Sequence, residues 1–297
     1  MKKKLSEELN KLIESILGSK LKTITAVSGG CIHQSWKLEL EDTQVYFAKT
    51  TDLRKVGMLV FEAEGLKVLR HFANNSQITV PKVIAMTQSK TMSILIMPWL
   101  HIVSNNQSLL GKGLASLHKN SIKNNPGKFG WQNDGYIGSN PQSAGWIDNW
   151  GECFVKLRLL PQLNLASKWG INILENKKLI SGLCILLNEH QPEPTIVHGD
   201  LWSGNCGMDP EGRGILIDPA VWWADREVDI AMSKLFGGFT EDFYKGYESV
   251  FPLSNSSRER IEIYNLYHLL NHANMFGGSY ITQCLSVLKN IRLKYLF

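Results

Sequence analysis

Several features are scarce in this 297-residue chain, and each scarcity narrows what it can be. Its five cysteines, Cys31, Cys153, Cys184, Cys206 and Cys284, stand far apart and form no CxxC pair. An odd, scattered set argues against both a disulfide framework and a structural zinc site. No apolar run approaches the ~20 residues needed to cross a bilayer, so no membrane partner is expected. The net charge of +5 is modest, and the only tight basic cluster is Lys2-Lys3-Lys4. A nucleic-acid binder gathers its cations on one face, so nucleic acid is not an expected partner either. Internal repeats and low-complexity tracts are missing. The opening "MKKKLSEELNKLIESIL" resembles a signal peptide only superficially, because Glu7, Glu8 and Glu14 interrupt any apolar core. Leu5, Leu9, Leu12, Ile13 and Ile16 instead follow helical spacing, and a cytoplasmic protein is expected.

What is present reads as an α+β protein of two lobes. Alternation predicts strands over 23–27 and over 35–49, the latter folded into a hairpin by a turn at Glu41-Asp42. A helix over 58–72 and strands near 82–87 and 92–97 complete a small antiparallel lobe, residues 1–98. From 99 to 297 the chain becomes mainly helical. "GKGLASLHKN" is helical, and 120–150, rich in Gly, Asn, Pro and Trp, reads as a long ordered loop. Helices are expected at about 150–170, 172–190, 225–236, 240–250, 258–275 and 280–296, with a strand "GILID" at 214–218.

The stretch "VHGDLWSGN", 197–205, carries the chemistry. Asp200 and Asn205 form a D-x4-N loop, and Asp218 follows Asn205 by thirteen residues. Phosphoryl transfer from ATP needs a carboxylate to orient or deprotonate the acceptor hydroxyl and oxygen ligands for Mg²⁺. The kinase catalytic loop and its metal aspartate share this order and spacing. Taken alone, Asp200 reads equally well as a polar turn, and Asp218 as a strand end. Features of the first lobe tip the balance. Gly29 and Gly30 would let backbone N–H groups approach phosphate oxygens. Lys49 could reach the phosphates from a strand end, with the inward-facing Glu62 as its partner, because an unpaired buried charge costs ~3–5 kcal/mol. Glu62 shares a helical stripe with Leu66 and Leu69, and Glu64 points away from it. At "ILIMPWL", the Pro98 C=O and the Leu100 N–H would hold adenine.

These motifs, with "HGDLWSGN", "IDPAVWWADREVDIAMSKLFGGF" and "YNLYHLLNH...FGGSY", resemble the fructosamine/ketosamine kinase family of the aminoglycoside phosphotransferase-like branch of the protein-kinase-like fold. The similarity runs from about Val27 to Tyr280 and includes "GGCI", "FGWQNDGYIGSNPQ" and "DNWGECFVKLRL". It implies an enzyme that uses MgATP to phosphorylate the sugar 3-hydroxyl of ketosamines, either small molecules or glycated protein lysines. The unstable product then eliminates and frees the amine, a repair of glycation. By resemblance Asp200 is the catalytic base, Asn205 and Asp218 hold Mg²⁺, and Lys49 with Glu62 holds the phosphates. Two positions depart from the family: His33 stands where asparagine is general, and Pro98 where the hinge usually has an acid.

On the acceptor side, Trp202 could stack on a sugar ring or belong to the core. His268, Asn271 and His272 share a helix and could line the pocket; without a third ligand they are not read as a zinc site. Asp229 is expected to brace the catalytic loop, and Arg226 to brace it or touch substrate. From Pro219 onward Lys/Arg and Asp/Glu are about equal in number, so no acidic basin for a polycation is visible. An aminoglycoside or other small-molecule phosphotransferase is therefore the second reading. A pseudokinase scaffold, which would be expected to have lost Lys49, Asp200 or Asp218, is the third. Cys31 in the glycine turn could be a redox-sensitive thiolate, against the plainer reading of an inert thiol.

Overall fold

The computed structural model describes residues 6–28, 32–73, 77–173 and 175–295. It opens with helix α1 (Glu7–Leu17), whose N-terminus is capped by the Ser6 hydroxyl accepting from the Leu9 N–H. Gly18, at φ +73°, ends it with an N–H donated to the Glu14 carbonyl. Strands β1 (Leu21–Val27), β2 (Gln34–Leu40) and β3 (Val45–Asp52), helix α2 (Val56–Phe72), β4 (Ile78–Thr79), β5 (Ala85–Gln88) and β6 (Met92–Pro98) follow. The five-stranded antiparallel sheet has the order β1-β2-β3-β6-β5.

Strand alternation sorts the two faces of this sheet. Trp36, Leu38, Ala48, Ile94 and Ile96 point one way and bury Leu9 and Ile13 of α1. Their neighbours Leu95 and Met97 point the other way, into the cluster that holds Leu59, Leu66 and Leu69 of α2. Lys49, adjacent to Ala48, must therefore face α2. That parity, set by the sequence, decides which helix the lysine meets.

The larger lobe comprises α3 (Ser108–Ile122), four short strands β7 (Phe129–Trp131), β8 (Gly135–Ile137), β9 (Asn140–Gln142) and β10 (Gly145–Ile147), then α4 (Trp150–Phe154), α5 (Leu160–Ala166) and α6 (Lys177–His190). Beyond these lie β11 (Thr195–Val197), β12 (Cys206–Met208), β13 (Gly214–Leu216), β14 (Trp222–Ala224), α7 (Glu227–Leu235), α8 (Glu241–Val250), α9 (Ser257–Phe276) and α10 (Ser279–Tyr295). The α+β class and the small sheet lobe against a mainly helical one are as expected.

Three local expectations change. The stretch 120–150 contains β7, β8, β9 and β10, each only three residues long, paired as β8-β9 and, with strands from later in the chain, in the order β10-β7-β14-β11. Strands that short carry no readable alternation, and distant partners such as β14 hold them in place. The helix expected over 150–170 is broken by a π turn at Val155–Leu159, after which α5 starts with Pro161 in its first turn. The strand of "GILID" stops at Leu216, leaving Asp218 beyond it at φ +55°. One more pairing links the halves: β4 runs parallel to β13, Ile78 opposite Gly214.

Candidate active site

The D-x4-N loop follows β11 and is held from below by one buried carboxylate. Asp229, in the first turn of α7, accepts the His198 N–H at 2.7 Å and the Gly199 N–H at 2.8 Å. His118 adds a third contact, Nε2 to Asp229 Oδ2 at 3.2 Å. Burial alone would raise the Asp229 pKa, but His118, His198 and the Gly199 N–H outweigh it and hold the carboxyl below its usual range. Gly199 has φ +80°, and a Cβ there would lie 2.0 Å from the Ala220 carbonyl oxygen, so the backbone crossing admits only glycine. The expected bracing role of Asp229 thus has its geometry.

Within the loop, Asn205 Nδ2 donates to the Asp200 carbonyl at 2.9 Å, to Asp200 Oδ2 at 3.0 Å and to the Asp218 carbonyl at 3.4 Å. With its nitrogen so engaged, the Asn205 Oδ1 is the oxygen left for a cation. Asp200 sits deep but reaches the cleft. Burial, reinforced by the Asp218 carboxylate and opposed by Asn205, pushes its pKa up to about 7. A carboxyl poised near neutrality suits a general base.

Lys49 joins the two lobes. Its Nζ lies 2.8 Å from Glu62 Oε1 on α2 and 2.5 Å from Asp218 Oδ1. Burial pulls the Lys49 pKa down, yet Glu62 and Asp218 more than reverse that, so the ammonium stays charged. Desolvation raises the Glu62 pKa against the opposing pull of Lys49. The positive φ of Asp218 is tolerated by aspartate and turns its carboxylate back toward Lys49. Gly65 of α2 lets that helix press on the same segment: a Cβ would meet Val221 at 3.1 Å and Pro219 at 3.2 Å.

Lys49, Glu62, Asp200, Asn205 and Asp218 line a single cleft of about 580 Å³. Its donors are hard oxygens, the set that Mg²⁺ or Ca²⁺ accepts. The cleft continues into an end lined by Trp202, Phe236, Asn271, His272, Phe276 and Tyr280. Trp202 is 38% exposed there, packed over Gly204, and does not belong to the core. His272 packs among Phe236, Phe276 and Tyr280 in tilted arrangements, with ring centroids 4.7, 5.8 and 5.2 Å away. Its Nδ1 lies 2.9 Å from the His268 carbonyl, which only accepts, so the proton is on Nδ1 and Nε2 is left as an acceptor.

Two expected substrate contacts are corrected. Arg226 lies outside the cleft: its guanidinium donates to the Phe251 carbonyl at 2.7 Å, the Pro252 carbonyl at 2.6 Å and the Tyr247 hydroxyl at 3.1 Å. These contacts fix the end of α8. His268 is fully buried, and desolvation lowers its pKa to about 3. It shares a face of α9 with His272 but lies one turn earlier, fully buried and not lining the cleft. Gly29, Gly30 and Cys31 lie outside the described residues. Pro98 ends β6, and Leu100 lies two residues beyond it. There Trp99 directs its N–H to Val45, so by strand alternation the Pro98 C=O faces away from β3, past the start of β5. Glu64 does not line the cleft.

Sequence reasoning missed the aromatic wall. Its signal is a repeated Phe-Gly-Gly, at Phe236 and at Phe276, where glycines of positive φ end α7 and α9 and leave the phenylalanines at the cleft. A separate cluster, His190, Asp225 and Glu227, is internally satisfied. Arg260 pairs with both Glu227 oxygens at 2.7 Å, while His190 and the Tyr264 hydroxyl share Asp225 Oδ2 at 3.0 and 2.6 Å. That network is structural.

The fructosamine kinase family model matches residues 3–294. The chain is 39% identical over 267 residues to a probable ketoamine kinase from Synechocystis, covering 89% of this chain and 88% of that protein. It is also similar to the crystal structure of a presumed fructosamine-3-kinase from Haemophilus somnus, with a TM-score of 0.85, 28% identity and coverage of 96% and 97%. An amicoumacin kinase solved with AMP-PNP and Ca²⁺ shares the fold alone, at a TM-score of 0.58 and 14% identity over 97% of this chain and 94% of its own. A whole-length match of this kind, laid over a cleft with the kinase constellation, places the chain in the fructosamine kinase family.

Proposed function

We propose that the chain transfers the γ-phosphoryl group of MgATP to the 3-hydroxyl of a ketosamine sugar, carried on a small amine or on a protein lysine. The convergence of Asp200, Asn205, Asp218 and Lys49 on one cleft carries this reading. Asp200 takes the proton of the hydroxyl as its oxygen forms the bond to phosphorus, and the bond from phosphorus to the bridging oxygen of ADP breaks. Lys49, fixed by Glu62, orients the phosphates. Asn205 Oδ1 and the Asp218 carboxylate would hold Mg²⁺, which when bound offsets charge on the phosphate oxygens. The Pro98 C=O and Leu100 N–H would receive the adenine edge, and Gly29 and Gly30 the phosphates. We further propose that residues 1–98 form the nucleotide lobe and 99–297 the catalytic and acceptor lobe, in a cytoplasmic protein.

The acceptor end favours a sugar-amine over a polycationic antibiotic. The only carboxylates lining the cleft among the described residues are Glu62, Asp200 and Asp218, all at its phosphate end. The other end carries the rings of Trp202, Phe236, Phe276 and Tyr280 beside His272, Asn271 and Met275, and a sugar can stack on such rings.

The deciding measurement is ATP consumption with fructosamine, ribulosamine and erythrulosamine substrates alongside kanamycin and choline, with phosphorus NMR of the product. A 3-phosphate on one ketosamine, decaying to release the amine, is expected. Turnover of kanamycin or choline alone would overturn the assignment.

A further inference from the structure

One cleft residue has no part in the reading above. His33, just before β2, lines the cleft and is half-buried. Its Nδ1 is closed off from solvent without a hydrogen-bond partner. Burial, then the nearby Lys49, drive its pKa down to about 4, with Asp218 opposing and Lys55 adding to the fall. The ring is therefore neutral near pH 7, with one N–H and one lone pair to place.

With Nδ1 sealed inside the protein, Nε2 is the nitrogen left for a ligand. A phosphate oxygen only accepts, so its approach selects the tautomer with the proton on Nε2. The opposite tautomer would bury an unpaired donor, which costs ~1–3 kcal/mol. The charges closest in influence to His33 are Lys49 and Asp218, the groups at the transferred end of the nucleotide rather than at the base.

We propose that His33 donates its Nε2–H to a β- or γ-phosphate oxygen of the bound nucleotide, a directional contact beside the charge of Lys49. It rests on the kinase reading above. The test is calorimetric binding of MgAMP-PNP and of AMP to wild type, His33→Ala and His33→Gln, since glutamine carries an N–H at about the reach of Nε2. His33→Ala should bind MgAMP-PNP about tenfold more weakly, the worth of one hydrogen bond to a charged acceptor. AMP affinity should stay within about twofold, and His33→Gln should regain most of the loss. Should the alanine variant not fold, His33→Leu fills the ring volume without a donor and carries the same comparison. Equal MgAMP-PNP affinity in wild type and donor-free variant overturns the proposal, as does an equal loss for AMP. Failure of wild type to bind MgAMP-PNP at all would instead bring down the kinase reading itself.

Discussion

Lys49 Nζ lies 2.5 Å from Asp218 Oδ1, a contact that ties the central strand of the small sheet to the loop beyond β13. The same ammonium holds Glu62 at 2.8 Å. Lys49→Met should leave Glu62 without a counter-charge inside the protein. Breaking a buried pair costs ~3–5 kcal/mol, and the ability of Glu62 to take up a proton puts the expectation at the lower end. Urea unfolding checks this, with Lys49→Met/Glu62→Leu expected to recover part of the loss. An unchanged midpoint together with unchanged ATP kinetics would refute the pairing.

Asp200 is assigned the proton transfer. Asp200→Ala should lower kcat by roughly 10²–10⁴-fold while nucleotide affinity stays nearly constant, because a base acts mainly in the transition state. Near-normal turnover contradicts the assignment.

Asp229 braces the loop that presents Asp200. Its folded pKa is held below the ordinary value, so the stability it contributes is complete above about pH 4 and lost as pH falls through the lowered value. Asp229→Asn should therefore destabilise by about 2–4 kcal/mol at pH 6, through loss of charge-assisted bonds, and the gap to wild type should close in acid. Chemical unfolding at a series of pH values reads it directly. A gap independent of pH would sink the argument.

Arg226 is a fastener rather than a substrate contact. Arg226→Ala should cost about 1–3 kcal/mol by freeing the Phe251 and Pro252 carbonyls, with the acceptor KM within about twofold of wild type. A large rise in acceptor KM without loss of stability would restore it to the substrate site.

Trp202 stands at the mouth between the phosphate end and the aromatic wall. Trp202→Ala should raise the acceptor KM roughly tenfold, Trp202→Phe far less, and neither should alter the ATP KM. Equal acceptor kinetics in all three proteins would leave the indole without a binding role.

Much of the machinery was legible before any coordinates because its parts are local or periodic. Lys49 was expected at a strand end with Glu62 as its partner; it lies inside β3, where alternation with Ala48 turns it toward α2. The helical stripe of Glu62, Leu66 and Leu69 did aim the glutamate inward. The spacing from Asp200 to Asn205 is short enough for one loop to satisfy. The strands of 129–147 were not legible, since three residues show no period and one partner is far off in the chain, Trp223 opposite Gly130. Arg226 and His268 were misplaced for a related reason. Chain proximity to Asp218, or presence on the right helix, does not say whether a side chain reaches the cleft once α8 and α9 have packed.

The sequence alone determined the inventory of reactive groups, their order and the faces on which the regular elements present them, since backbone periodicity imposes those. Only the packed chain decided that Asp218 would leave its strand in a left-handed turn and meet Lys49. The same packing drew Phe236, Phe276 and Tyr280 into one wall and set Asp200 deep enough for desolvation to lift its pKa. Each of these depends on burial and on contacts between segments far apart in the chain, quantities that no local pattern encodes.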